Sequence, residues 1–214
     1  MKGGILPPSF NLFCCTYYLN LEFPMNVRSF FNYISPLSDQ TWEEIEPLFQ
    51  RETLAQHDHF IKANETARKI AFLESGIVRA YFINKEGKEY NKQFFVGPST
   101  IGAYTSLLTG TPNQIPQQAM TDCVIWTLHY HELTSRYETH PDLERSARKI
   151  AEHYFLEKEK KELEIVLLNA TERYAIFQKE FPGIEQHLAQ YHVASYLGIT
   201  PIQLSRIRHP QASK

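Results

Sequence analysis

The stretch Gln190 to Arg208, QYHVASYLGITPIQLSRIR, constrains this chain most. Its apolar positions fall into two short helical patterns that meet at Gly198. Val193, Ala194 and Leu197 share a face of the first, and Leu204 and Ile207 share a face of the second. Gly198 can take the left-handed conformation that ends a helix. Thr200 is placed to cap the next helix, and Pro201 suits its first turn. Ala194, four residues before Gly198, supplies the small side chain that two crossing helices need. The spacing predicts a helix-turn-helix. Its second helix offers Thr200, Gln203, Ser205, Arg206 and Arg208. Gln203 is expected to pair with adenine and Arg206 with guanine, while Thr200, Ser205 and Arg208 hold phosphate.

Helical hairpins with a glycine turn also occur outside DNA-binding proteins, so the charge around this one matters. From Thr171 onward, Arg173, Lys179, Arg206, Arg208 and Lys214 face only Glu172, Glu180 and Glu185, whereas the whole chain carries a net charge of -2. The basic excess is therefore local, and a generally basic nucleic-acid coat is excluded. At 214 residues with 43% hydrophobic side chains, the chain can build one large packed domain or two small ones. Cys14 and Cys15 are adjacent and Cys123 is distant. That pattern makes neither a disulfide framework nor a four-cysteine iron–sulfur site, and it predicts reduced thiols and a cytoplasmic setting. No apolar run approaches about 20 residues, so no membrane partner is expected.

Residues 1–24 are apolar and aromatic without clear periodicity, with Pro7, Pro8 and Pro24, and Asn11, Thr16 and Asn20 interrupt the run. They read as a flexible leader rather than a signal peptide, with the domain proper starting at Met25. Ser38 to Gln50 has a helical pattern with Thr41 and Glu44 at capping-box spacing, and Pro47 should shorten or kink it. From Arg51 to His129 the period becomes that of strands: Leu54, Phe60–Ile61, Ile70–Leu73, Ile77–Ile83, Gln93–Val96 and Val124–Leu128. The clearest hairpin joins Ile77–Ile83 to Tyr90–Val96 through Asn84-Lys85-Glu86-Gly87. Many short strands predict a small antiparallel barrel or jelly roll. Gly97 to Gln118 reads as an irregular loop of the kind that holds a ligand.

A short helix is expected over Tyr130–Thr139 and a long one over Asp142–Leu168. The long helix carries Leu143, Ala147, Ile150 and Tyr154 at coiled-coil-like spacing, and either the barrel or a second copy of the chain could cover this stripe. Its EKEKKELE segment reads as a solvated face. Another helix, Thr171–Phe181, is expected to be capped by Thr171 and to support the helix-turn-helix through Tyr174, Phe177 and Phe181. The boundary at Asn169-Ala170 reads as a hinge between two domains.

Other chemistry is thinly represented. His57/His59 and His129/His131 are His-x-His pairs, but no carboxylate stands convincingly beside either, and no metal is assigned. No local signature of nucleophilic catalysis is present, so no catalytic residue and no enzyme activity are assigned. Arg79, Tyr81, Gln93 and Tyr104 could line a pocket or equally face outward from strands.

The order of parts resembles the Crp/Fnr family of transcription regulators, closest to its Bacteroidetes-type members. The residues that carry the likeness are Lys69 through Arg79, Thr171-Glu172-Arg173-Tyr174, and above all Tyr191 through Arg208, within a span from Phe30 to His209. The resemblance implies an α+β chain. An N-terminal antiparallel β jelly roll of the cyclic-nucleotide-binding-like kind (25–140) leads into a long dimerisation helix (141–169) and a C-terminal helix-turn-helix (170–214). It also implies a homodimer on double-stranded DNA at an inverted repeat, with RNA polymerase and a small-molecule effector as further partners. The dimer contact would be Leu143, Ala147, Ile150 and Tyr154, and the effector pocket would include Arg79, Tyr81, Gln93, Gly102, Ala103, Tyr104 and Asn113.

Two departures from the family pattern stand out. Where cyclic-AMP-binding members carry a Gly-Glu pair and a later Arg, this chain has Gly102-Ala103 and Asn113. A buried phosphate without a countercharge is costly, so no cofactor is expected and cyclic AMP is not expected to bind. Where nucleotide-responsive members begin the recognition helix with Arg-Glu, this chain has Pro201-Ile202, so its DNA site should differ. The competing reading is a small-molecule-binding or metal-dependent β-barrel whose C-terminal helices mediate protein contacts.

Overall fold

The computed structural model describes residues 25–209; the expected leader, Cys14 and Cys15 lie outside them. Two four-stranded antiparallel sheets form the N-terminal sandwich. One runs β1 (Gln50–Leu54), β8 (Cys123–His129), β3 (Lys69–Ser75), β6 (Ser99–Ile101). The other runs β2 (His59–Ile61), β7 (Gln117–Ala119), β4 (Ile77–Ile83), β5 (Glu89–Val96). Inner positions of both sheets alternate with outer ones, as the pleat requires. Ala71, Leu73, Val78, Ile101, Ala119, Cys123 and Ile125 fill the space between them. The β4–β5 hairpin pairs Ile77 with Val96 and Ile83 with Glu89, and Gly87 turns it at φ 77°.

The helices differ from the expectations in instructive ways. An unforeseen α1 (Val27–Ile34) buries Val27, Phe30, Phe31 and Ile34, and the Asn26 carboxamide accepts from Ser29 N–H at 2.8 Å to cap it. In the helix expected over Ser38–Gln50, Ser38 rather than Thr41 is the cap. It accepts from Thr41 N–H at 3.2 Å, α2 spans Asp39–Ile45, and Pro47 falls in a 3-10 turn at Glu46–Leu48. Thr41 donates instead to Asp142 at 2.8 Å, which ties α2 to the start of the long helix. The segment read as irregular contains β6, α3 (Tyr104–Thr109) and β7. The short helix α4 ends early, at Tyr130–Thr134, and the long helix α5 spans Pro141–Leu167. The next helix, α6 (Ala170–Glu180), is capped by Asn169 rather than Thr171, with Glu172 completing a capping box.

The stripe expected to pair two copies is covered by the chain's own sandwich. Leu143 is fully buried among Phe30, Phe72 and Leu128, and Ile150 packs on the same cluster. Tyr154 donates to the Thr100 carbonyl at 2.9 Å and stands edge-on to Phe95. The opposite side of α5 instead carries exposed apolar residues in its second half, Phe155, Leu156, Leu163 and Val166, followed by Leu167, with Glu159 among them. The sequence offered two apolar faces on one helix, and only the position of the sandwich decided which stays open.

The last two helices, α7 (Gln190–Tyr196) and α8 (Pro201–Arg208), meet at Gly198, whose φ is 68°. Val193, Ala194, Leu197 and Leu204 are buried between them and α6, and Ile207 packs against the group. This cluster extends onto the sandwich. Phe94 on β5, Ile77 and Met120 join it, and Phe94 lies 5.2 Å from the Tyr196 ring and 6.3 Å from Phe177. The helical part is therefore seated on the outer face of the β4–β5 sheet.

Candidate nucleic-acid interface and effector cassette

The exposed side of α8 follows from its caps and its buried seam. Thr200 accepts from Gln203 N–H at 3.2 Å, and the Gln203 Oε1 accepts from Thr200 N–H at 2.9 Å, a reciprocal box with Pro201 in the first turn. Leu204 points inward at 0% exposure. On a 3.6-residue period this leaves Ile202, Ser205, Arg206 and His209 on one outward face at i, i+3, i+4 and i+7, and all four are exposed.

The five residues expected at DNA separate into two groups. Ser205 and Arg206 lie on the open face. Thr200, Gln203 and Arg208 are engaged within the chain. Gln203 Oε1 also accepts from the Thr200 hydroxyl at 3.2 Å, so both of its lone pairs are occupied. Reading adenine needs that oxygen to accept from the base, so Gln203 would have to release the cap. Arg208 pairs with Glu185 and donates to the Tyr174 hydroxyl at 3.2 Å. It braces α8 against α6 and the 3-10 turn at Ile184–Gln186. The i, i+3, i+4 spacing from Ile202 was legible in the sequence, but a search confined to polar residues passes over it.

Arg173 ties the α5–α6 junction to α7. It donates to the Leu168 carbonyl at the end of α5 at 2.5 Å and to the Leu197 carbonyl at the end of α7 at 3.1 Å. A cation beside two carbonyl-rich helix termini is favourable.

The seven residues expected to line an effector pocket do not converge. Gly102, Ala103 and Asn113 sit together in the loop-rich part around α3. Ala103 is buried with Ile61 and Ala67. Asn113 donates to the carbonyls of Lys62 at 3.2 Å and Ile115 at 2.9 Å and accepts from Ile115 N–H. The Gly102 carbonyl accepts from Gln117 at 3.0 Å. Ser106 stitches the same region by accepting from Ala67 N–H and donating to the Thr111 carbonyl. Tyr104 is exposed and stands edge-on to Tyr130.

Arg79 and Tyr81 face the other way. Val78 points between the sheets, so Arg79 and Tyr81 project from the outer face, beneath α7. Arg79, 4% exposed, donates to Gln118 at 2.6 and 3.0 Å, to Glu89 at 2.6 Å, to Asn91 at 3.2 Å and to His192 Nδ1 at 3.2 Å. Its guanidinium lies 3.9 Å over the Tyr81 ring, and Tyr81 bonds His59 at 3.0 Å. Ser195 of α7 accepts from Asn91 N–H at 3.0 Å and donates to the Glu89 carbonyl at 3.1 Å. Arg79 is thus the centre of a polar latch between the sandwich and the helical part. Gln93 borders a separate space of about 20 Å³ between α5, α6 and α7, with Lys160, Glu164, Glu180 and Tyr196, room for about one water.

His192 is 5% exposed. Burial, then the adjacent Arg79 charge, bring its pKa down to about 4. Arginine can only donate, so Nδ1 must accept and the imidazole is neutral. Among the described residues no group of three or more His, Cys, Asp or Glu side chains could hold a metal, and no helix is long and apolar enough to cross a membrane.

The two-sheet antiparallel sandwich, the long helix and the helices that follow it are similar in fold to solved Crp/Fnr regulators. Residues 51–140 match the cyclic nucleotide-binding domain family. Among solved structures, FixK2 from Bradyrhizobium japonicum superposes with a TM-score of 0.67 at 16% identity, covering 76% of this chain and 83% of that one. A regulator of the Crp/Fnr family from Eubacterium rectale gives 0.64 at 14% identity, covering 80% and 82%. The c-di-GMP-responsive global regulator CLP from Xanthomonas campestris gives 0.63 at 14%, covering 79% and 89%. At these identities the likeness is one of fold. No curated protein matches the sequence.

Proposed function

We propose that this protein is a homodimeric, sequence-specific DNA-binding transcription regulator of the Crp/Fnr type. The observation that carries the reading is the open face of α8. Ser205 and Arg206 stand exposed on a capped helix whose other side is packed, which is what a helix needs to enter a major groove. The fold shared with transcription regulators supports it. Arg206, with its planar fork, suits the O6 and N7 acceptors of guanine. Selection of genomic fragments by the purified protein tests the reading, and enrichment of an inverted repeat is the expected outcome. On the selected duplex, Arg206→Ala is expected to weaken binding by about 1–3 kcal/mol and to flatten preference at one base pair per half-site. Unchanged affinity and preference would remove Arg206 from the interface.

The dimer contact is proposed on the exposed side of α5, through Phe155, Leu156, Leu163 and Val166. These residues lie at spacings that share one helix face, and two such faces related by a two-fold axis would cover each other. The recognition helices would then be presented to half-sites about 34 Å apart. Sedimentation is expected to give a dimer for the native chain and a monomer for Leu156→Glu at about 20 μM. A native monomer, or an unaffected variant dimer, would move the interface elsewhere.

Cyclic nucleotides are not proposed as the effector. Ala103 offers no acceptor for a ribose hydroxyl, and the Asn113 amide is spent on backbone carbonyls. Arg79 faces out of the sandwich and is committed to the latch. A cyclic phosphate would exchange water for neutral donors only. Titration calorimetry with cyclic AMP and cyclic GMP is expected to give no micromolar binding, and binding in that range would restore the nucleotide pocket.

A further inference from the structure

We infer that Ile202 is a specificity-determining residue that receives the 5-methyl group of a thymine in the major groove. The inference rests on the DNA-binding reading and adds to it the identity of a base. Ile202 is 67% exposed in the first turn of α8, where a β-branched apolar side chain gains nothing from the protein beneath it. It shares the open face with Ser205, Arg206 and His209, and it is the member of that face nearest the helix N-terminus, the end that meets base edges.

The capping box sharpens the point. Gln203, the side chain beside it, has its carbonyl oxygen committed to Thr200. The first turn therefore offers the groove the apolar Ile202 and, from Gln203, amide donors without the free oxygen that pairing with adenine needs. In the major groove, the apolar feature that marks one base is the thymine methyl, and aliphatic side chains meet it. Ile202 and Arg206 are one helical turn apart, about 6 Å along the axis. The thymine should therefore lie within about two base pairs of the guanine read by Arg206, given a spacing of about 3.4 Å per base pair.

The test uses the full chain and a duplex it selects from genomic fragments. Each thymine is replaced in turn by deoxyuridine, which removes the methyl group and leaves the pairing edge unchanged. At one thymine in each half-site the native protein is expected to lose about fourfold in affinity, the contribution of one buried methyl. Ile202→Ala is expected to bind the thymine and deoxyuridine duplexes equally, and Ile202→Val to retain part of the preference. A native protein that binds its selected duplex yet ignores the methyl at every thymine overturns the inference and leaves the DNA reading standing. A penalty that persists undiminished in Ile202→Ala also overturns it, by assigning the methyl to another residue. If no duplex is selected at all, the DNA reading falls and the inference falls with it.

Discussion

Phe177→Ala is expected to lower the stability of this protein by about 3–5 kcal/mol, the range for removing a fully buried phenyl ring. Phe177 is 0% exposed. Its ring meets Phe94 of β5 at 6.3 Å, Phe181 at 5.4 Å and Tyr196 of α7 at 5.5 Å. It therefore belongs to α6, yet it supports both the helix pair and the seat of that pair on the sandwich. The cavity would open where α6, α7 and β5 meet, and Gly198 and the caps could not compensate, because they fix local backbone and not this contact. For a chain of this length the melting temperature should fall by about 2–4 °C for each kcal/mol lost. Chemical denaturation of native and variant proteins checks the first number, and a thermal scan checks the second. A loss below about 1 kcal/mol would mean that the helical part does not rest on β5 in solution.

The second large effect is one of pH. His192 must stay neutral in the folded protein, because its Nδ1 accepts from Arg79 and Asn91 while Glu89 lies across the same group. Its pKa is about 4 in the fold against 6.5 for an ordinary histidine. Below pH 6.5 the unfolded chain takes up a proton that the folded chain refuses until about pH 4. Stability therefore falls as pH drops through this window and is fully present above it, with a loss of about 3 kcal/mol by pH 4. Protonation would also place two donors face to face at Nδ1 and the guanidinium, which favours release of α7 from β5. Burial and Arg79 drive the shift, with His57 adding a little in the same direction and Glu89 opposing it. Denaturation midpoints at pH 7 and pH 4.5 for the native protein and for His192→Gln measure the effect. The variant is expected to show a shallower pH dependence, and equal slopes would show that the ring is not held neutral in the interface.

Local sequence carried much of this chain. The left-handed turn at Gly198, the cap at Thr200, Pro201 in the first turn, and the inward Val193, Ala194, Leu197 and Leu204 were all legible, because each depends on residues within one or two helical turns. The β4–β5 hairpin was legible for the same reason, since a short turn fixes its register. Cap choice was less so. Ser38 and Asn169 outcompeted Thr41 and Thr171, one because Thr41 is used by Asp142 and the other because Asn169 and Glu172 close a box. The short strands β6 (Ser-Thr-Ile) and β7 (Gln-Gln-Ala) lack the apolar pair that marks the equally short β2, and their existence depends on neighbours distant in sequence.

What only the tertiary structure decided is which groups are left over. Periodicity gave α5 an apolar stripe, but the sandwich covers Leu143, Ile150 and Tyr154 and leaves Phe155, Leu156, Leu163 and Val166 open. Composition made Arg79 and Arg208 look available, but Glu89, Gln118 and His192 claim the first, and Glu185 and Tyr174 claim the second. A side chain's chemistry is written in its residue type. Whether that chemistry faces a partner depends on what the rest of the chain has already used, and hydrogen bonds and ion pairs across tens of residues are set by packing rather than by spacing.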